Sequence, residues 1–280
     1  MLPPYPRPSP AQIWINSEVE ALVLSYFADQ STPLEIDGIF NWSMTYDRDS
    51  DIWMPYGNSR EFTMHDLRYP YVTWDQKIDR IVRSKSLDRL VVWHISSCPR
   101  PSRREAYVTD MMRYIPVHIE GKCALFENAT KPSAEPSSYM FYLAFENSFC
   151  KDYITEKFWK TALQKGVIPV ARGGLSRADY EAVAPPGSFI YADDFAGPRE
   201  LATYLLEVAH DKVKYAAYFQ WYKTHTLTYD DPDWWGQSKE LESSPFCTIC
   251  EKLNKPHKSK TTNFTSFVQG KCRLPRPWTA

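Results

Sequence analysis

The sequence predicts an α/β protein built on parallel sheet, and two observations carry that reading. Short apolar runs such as Leu90-Val-Val-Trp-His-Ile95 and Phe141-Tyr-Leu-Ala-Phe145 are bounded by turn signals, as strands buried on both faces are. Between such runs lie stretches whose apolar residues step by three or four. Strands alternating with helices imply parallel pairing through right-handed crossovers. With 280 residues, the chain has room for one large domain or two of ordinary size.

Residues 1–11 hold a proline-rich arm. Residues 12–40 are mixed, and Phe40 to Gly57 reads as a strand-like segment running into a loop. The run 90–95 is the first clear buried strand. A helix over about 103–114 and a strand over 115–119 follow. Lys131-Pro-Ser-Ala-Glu-Pro-Ser-Ser138 is the best linker, and it places a domain boundary between 12–135 and 136–240. Beyond it come a strand at 140–145 and a helix at 152–165 along Ile154, Phe158, Ala162 and Lys165. Gly166 stands at the helix stop. Strands at 167–171 and 188–191 follow, then helices opening at Pro198 and Lys212. Residues 241–280 form a cysteine-containing tail.

Composition narrows the function. The formal net charge is −1 and no basic run is sustained, which argues against nucleic-acid binding. No apolar run approaches the roughly 18–20 residues of a membrane span, and the proline-rich start lacks the apolar core of a signal peptide. Three of the seven Asn open acceptor sequons, at Asn41, Asn128 and Asn263. Six Cys make an even set compatible with three disulfides. A lumenal protein whose chain begins after its membrane anchor reconciles these features.

The segment from Phe141 to Lys157 says most about chemistry. An apolar strand leads through a polar turn into a helix start that carries Asn147, Tyr153, Glu156 and Lys157. Ligands in parallel α/β sheets bind beyond the carboxyl ends of the strands, where this turn falls. A helix start offers unpaired N–H groups to an anion. Lys157 adds a full positive charge for a phosphate, and Glu156 adds acceptors suited to sugar hydroxyls. That set suits a nucleotide sugar, although a merely capped and solvated helix end has the same local look. Neither a Walker pattern nor G-x-G-x-x-G occurs.

Phe141-Tyr-Leu-Ala-Phe-Glu-Asn-Ser, Asp152-Tyr-Ile-Thr-Glu-Lys and Gly166-Val-Ile-Pro-Val resemble the donor-site signature of the α1,3-fucosyltransferases, glycosyltransferase family ten. Ser188-Phe-Ile-Tyr-Ala-Asp-Asp-Phe, Tyr215-Ala-Ala-Tyr-Phe-Gln-Trp and Val92-Trp-His-Ile-Ser96 continue the likeness. Phe40-Asn-Trp-Ser-Met-Thr-Tyr and Pro55-Tyr-Gly57 are similar to the acceptor-side motif.

The resemblance implies a GT-B fold, two Rossmann-like domains with parallel sheets facing across a cleft. The acceptor-side domain would be 12–135, incomplete at its start, and the donor domain 136–240. It implies inverting transfer of fucose from GDP-fucose to O3 of N-acetylglucosamine in a glycan. Carried onto matching positions, Lys157 binds the pyrophosphate with Arg104, in preference to Arg103, and Glu156 binds the ribose. Ser96, Tyr142, Asn147 and Tyr153 line the donor pocket, and Tyr56 stands on the acceptor side. The general base is a glutamate after a Trp-Ile-type strand, which spacing from Trp14 puts at Glu20, with Glu18 the rival.

The resemblance also implies a Golgi lumenal enzyme anchored by a membrane segment outside this chain, with no required cofactor. Asp49-Ser-Asp51 has the D-x-D pattern of metal-dependent sugar transferases. In a GT-B protein, side-chain cations and helix ends stabilise the leaving group instead, so no metal is expected. A protein hydroxyl as acceptor, or a catalytically silent binding protein, are the alternative readings.

Overall fold

The computed structural model describes residues 9, 11–21, 36–63, 73–96, 98–228, 244–255 and 261–278. Most of the proline-rich arm lies outside the described residues.

In chain order the described strands begin with β1 (Ile15–Glu18), β2 (Trp42–Thr45), β3 (Ile52–Trp53) and β4 (Asn58–Glu61). Helix α1 (Trp74–Arg83) leads to β5 (Val91–Ile95), α2 (Arg104–Met111) and β6 (Val117–Gly121). Next come β7 (Phe141–Phe145), β8 (Phe149–Cys150), helix α3 (Lys157–Leu163, wound as a π-helix) and β9 (Ile168–Arg172). Then follow α4 (Arg177–Glu181), β10 (Ile190–Tyr191), α5 (Pro198–His210), α6 (Lys212–Ala217) and β11 (His225–Thr228). The described elements close with α7 (Pro245–Asn254), α8 (Phe264–Val268) and β12 (Cys272–Arg273).

Strands β10-β9-β7-β5-β6 form one five-stranded sheet in that order, every neighbour parallel. Its members are nearly continuous apolar runs. All five residues of β7 are buried, as are all five of β9, because helices cover both faces. Helix α5 buries Leu201, Leu205 and Val208 at the predicted spacing, with Pro198 in its first turn. Gly166 takes φ +65 just after α3, the left-handed stop that the sequence marks there.

The expected boundary between 135 and 136 is corrected by this sheet. Strands β5 and β6 precede it and β7, β9 and β10 follow it, yet all five share one hydrogen-bonded array. Lys131 to Ser138 is a surface crossover from the edge strand β6 to the central strand β7. Proline and serine serve such a turn as well as they serve a linker. The segment is tied down rather than loose, since Lys85 Nζ donates to the Ser137 carbonyl at 2.6 Å.

The smaller sheet, β1-β2-β3, is also parallel and packs Trp42, Met44 and Ile52 into a separate core. Two antiparallel pairs bind the chain's distant parts, β4 with β11 and β8 with β12. At the second of these, the Cys150–Cys272 disulfide lies beside an ion-pair network. Arg48 pairs with Asp152 at 2.7 Å, and buried Asp47 pairs with Lys271 at 2.7 Å. The other disulfide is Cys98–Cys123. Two bridges therefore form where three were compatible with the sequence, and Cys250 on α7 is an exposed thiol.

Candidate active site

The strand order β6-β5-β7-β9-β10 reverses direction between β5 and β7. In open parallel sheets, that reversal leaves a crevice at the carboxyl ends of the two flanking strands. Ser96 follows β5 there and is exposed. Glu146 and Asn147 follow β7. The turn leading into α2 lies against them, since the Ser102 N–H donates to the Asn147 carbonyl at 3.2 Å. Arg103 adopts a left-handed φ of 49° and faces solvent, which turns Arg104 inward. Arg104 is 2% exposed, and its Nη1 donates to the Phe145 carbonyl at 2.9 Å. Burial pulls its pKa down while the Glu146 charge opposes that pull. Of the two candidate arginines, Arg104 is the one at the crevice.

Lys157 is a second cation beside Glu146. Its Nζ donates to Thr155 Oγ1 at 2.8 Å and to Glu156 Oε1 at 3.0 Å, and lies 3.5 Å from Glu146 Oε2. Burial disfavours the ammonium, but the Glu146 and Glu156 carboxylates outweigh burial and raise its pKa. Glu156 is half exposed; burial would raise its carboxyl, and Lys157 more than reverses that.

Glu146 is fully buried and accepts from the Thr155 N–H at 2.8 Å and from the Thr155 hydroxyl. Burial pushes its carboxyl up despite Lys157. Sequence reasoning assigned Glu146 no role. An acid directly after a five-residue apolar strand was the available signal, because a carboxylate at that depth needs a partner.

Glu20 arrives from the smaller sheet. Its Oε2 accepts from the Tyr153 hydroxyl at 3.1 Å and from Asn147 Nδ2 at 3.4 Å. The Tyr56 hydroxyl donates to the neighbouring Val19 carbonyl at 2.8 Å, and the Tyr56 and Tyr153 rings meet edge-on at 6.4 Å. Glu18 is used differently, since its Oε1 accepts from the Val19 and Glu20 N–H groups at 2.9 and 2.8 Å. The fold thus gathers Glu20, Tyr56, Asn147 and Tyr153 at one place. Tyr142 stands behind them, buried in the sheet with its ring edge-on to His94. Asn147 Oδ1 and the hydroxyls of Ser102 and Ser148 are buried without a protein hydrogen-bond partner, leaving polar capacity around the crevice.

Other sequence candidates fall elsewhere. The carboxylates of Asp49-Ser-Asp51 have protein partners: Asp49 pairs with Lys151 at 2.6 Å and Lys271 at 3.3 Å, and Asp51 accepts from Ser43. Asn128 and Asn263 are exposed. Asn41 is not: it is 1% exposed and its Oδ1 accepts from the Trp14 N–H at 2.9 Å. The folded chain therefore offers no room for a glycan at Asn41, a correction to the expectation from its sequon. Among the described residues, no helix is long and apolar enough to cross a membrane.

A parallel α/β unit with Arg104 and Lys157 at its switch point, met by a second parallel unit that brings Glu20 to it, has the GT-B arrangement. The chain belongs to glycosyltransferase family 10: the profile described as "Glycosyltransferase family 10 (fucosyltransferase) C-term" matches residues 84–267, and "Fucosyltransferase, N-terminal" matches residues 1–57.

It is 34% identical over 260 residues to a 3-galactosyl-N-acetylglucosaminide 4-alpha-L-fucosyltransferase of Bos taurus, covering 93% of this chain and 64% of that protein. It is 34% identical over 253 residues to alpha-(1,3)-fucosyltransferase C of Drosophila melanogaster, covering 85% of this chain and 56% of that one. The chain thus spans between about half and two thirds of the length of these relatives. The crystal structure of an alpha1,3-fucosyltransferase with GDP-fucose shares the fold at a TM-score of 0.51, with 16% identity over 88% of this chain and 76% of that one.

Proposed function

We propose that this chain transfers L-fucose from GDP-fucose to O3 of an N-acetylglucosamine-containing glycan, with inversion at the fucose carbon. The observation that carries the reading is the meeting of Glu20 with Asn147 and Tyr153 at a crevice where Lys157 and Arg104 flank Glu146. In this reading Glu20 is the base, and Lys157 and Arg104 are the cations that meet the leaving group.

The proposed step needs both. The acceptor oxygen forms its bond to the anomeric carbon as the bond from that carbon to the β-phosphate oxygen breaks, and the bonding electrons leave with GDP. Glu20 takes the proton from the acceptor hydroxyl. Lys157 and Arg104 meet the charge growing on the diphosphate. They are useful because neighbouring groups already hold them in place before reaction. Glu156 would accept from the ribose hydroxyls, and Ser96, Tyr142, Asn147 and Tyr153 would shape the donor side. Tyr56, beside Glu20, would face the acceptor. The reading includes no divalent metal, Golgi lumenal residence, and glycans on Asn128 and Asn263.

Incubating the protein with labelled GDP-fucose and a panel of glycan and protein acceptors, with and without EDTA, tests this. Label on N-acetylglucosamine O3 in both conditions is the expected result. Loss in EDTA with recovery on manganese would overturn metal independence. Label only on a protein hydroxyl would reassign the acceptor, and GDP binding without any transfer would mark a silent binding protein.

A further inference from the structure

We infer that Arg172, at the end of β9, is a positioning residue that sets the Arg104 turn for transfer. The inference rests on the proposed function.

Arg172 is 1% exposed, although it carries a guanidinium. A buried charge is retained only when it is paired and its donors are satisfied. Its Nε donates to Asp193 Oδ1 at 3.0 Å, and its Nη1 donates to the Ser102 carbonyl at 3.1 Å. Its flat face lies over rings on several sides, with Tyr107 at 4.5 Å, Phe149 at 4.9 Å and Trp278 at 5.4 Å. Aromatic rings thus surround the guanidinium, and its donation to Asp193 and to Ser102 fixes its orientation among them.

What it points to is the turn that carries Arg104. Ser102 is fixed from two directions, its N–H to the Asn147 carbonyl and its carbonyl to Arg172. Arg103 and Arg104 follow directly. The backbone of Arg172 also reaches the other wall, because its carbonyl accepts from the Glu146 N–H at 2.9 Å. One residue therefore ties β9 to both the Arg104 turn and the base of the Lys157 pair. The carboxylate that holds it is held in turn, with Arg273 Nη2 3.6 Å from Asp193 Oδ2. Lysine cannot replace this arrangement, since a single ammonium on a flexible stem lacks the planar fork that spans two acceptors in fixed directions.

The test is a double-mutant cycle on kcat and acceptor KM, using wild type, Arg172→Lys, Arg104→Lys and the double variant. Displacing a catalytic cation by about an ångström costs on the order of 10²-fold. Arg172→Lys is expected to lower kcat by roughly 10- to 100-fold with acceptor KM within about twofold of wild type. In the Arg104→Lys background, the same change is expected to cost less than about threefold, because residues acting through one another are not additive.

Equal losses in both backgrounds, or wild-type kcat in Arg172→Lys, overturn the inference. Should Arg172→Lys fail to fold, Asp193→Asn, which loosens the anchor and keeps the guanidinium, enters the same cycle: a loss that shrinks in the Arg104→Lys background supports the inference, and an equal loss overturns it. A wild-type protein that transfers no fucose sinks the proposed function and this inference together. An active wild type with additive losses sinks the inference alone.

Discussion

The Tyr153 hydroxyl donates to Oε2 of Glu20 at 3.1 Å, a bond between residues 133 positions apart that joins the two parallel units at the site. The same oxygen accepts from Asn147. Both donors hold that oxygen in one direction, and a base must be positioned toward the proton it takes. Glu20→Gln keeps the shape and removes the basicity. Transfer is expected to fall by at least about 10²-fold, the contribution typical of a positioned base, while GDP-fucose binding by calorimetry stays near wild type. Glu18→Gln should retain most activity, because the Glu18 carboxylate is spent on the turn. An active Glu20→Gln beside a dead Glu18→Gln would move the base by two positions.

Lys157 faces the buried Glu146 carboxylate as well as the crevice. Lys157→Ala should lower turnover by roughly 10²–10³, the usual cost of removing one stabiliser of developing charge. It should also lower stability, because Glu146 loses its counter-ion within the fold. Turnover measured on the folded fraction separates the two effects, and a wild-type rate there would remove Lys157 from the chemistry.

Lys85 supplies a pH signature. Burial pushes its ammonium down to about 7, against 10.5 for an ordinary lysine. Between those values the unfolded chain holds a proton that the folded chain has released. Stability contributed by this group therefore rises with pH from about 7 to about 10.5 and is lowest, with both states protonated, below that window. Melting temperatures of wild type and Lys85→Met, compared at pH 6.5 and at pH 9.5, should show wild type gaining on the variant as pH rises. Parallel curves would refute the assignment.

Gly173 holds Glu146 by leaving space for it. A Cβ at position 173 would lie 2.7 Å from Glu146 Cγ and 2.9 Å from the Tyr180 hydroxyl. Gly173→Ala should cost about 1–3 kcal/mol by overpacking and lower turnover by shifting the partner of Lys157. Urea unfolding would show it, and a loss below about 0.5 kcal/mol would mean that the neighbours give way freely.

Strand and helix character was readable along most of the described chain because it is local. Runs such as 90–95 and 141–145 are apolar throughout, α5 repeats its buried residues every three or four positions, and Gly166 marks a stop that few other residues tolerate. The grouping of Asn147, Tyr153, Glu156 and Lys157 was readable too, since they sit within one strand-to-helix turn. Tertiary structure decided the rest. It put β5 and β6 into the sheet of β7, buried Asn41, turned Arg104 inward and Arg103 outward, and brought Glu20 across 133 positions to Tyr153. It also buried Glu146 and Arg172 and gave each its partners. Each of these depends on which distant groups surround a side chain. Pairing register, burial and the partner of a buried charge are properties of the packed chain, and no neighbourhood of a few residues contains them.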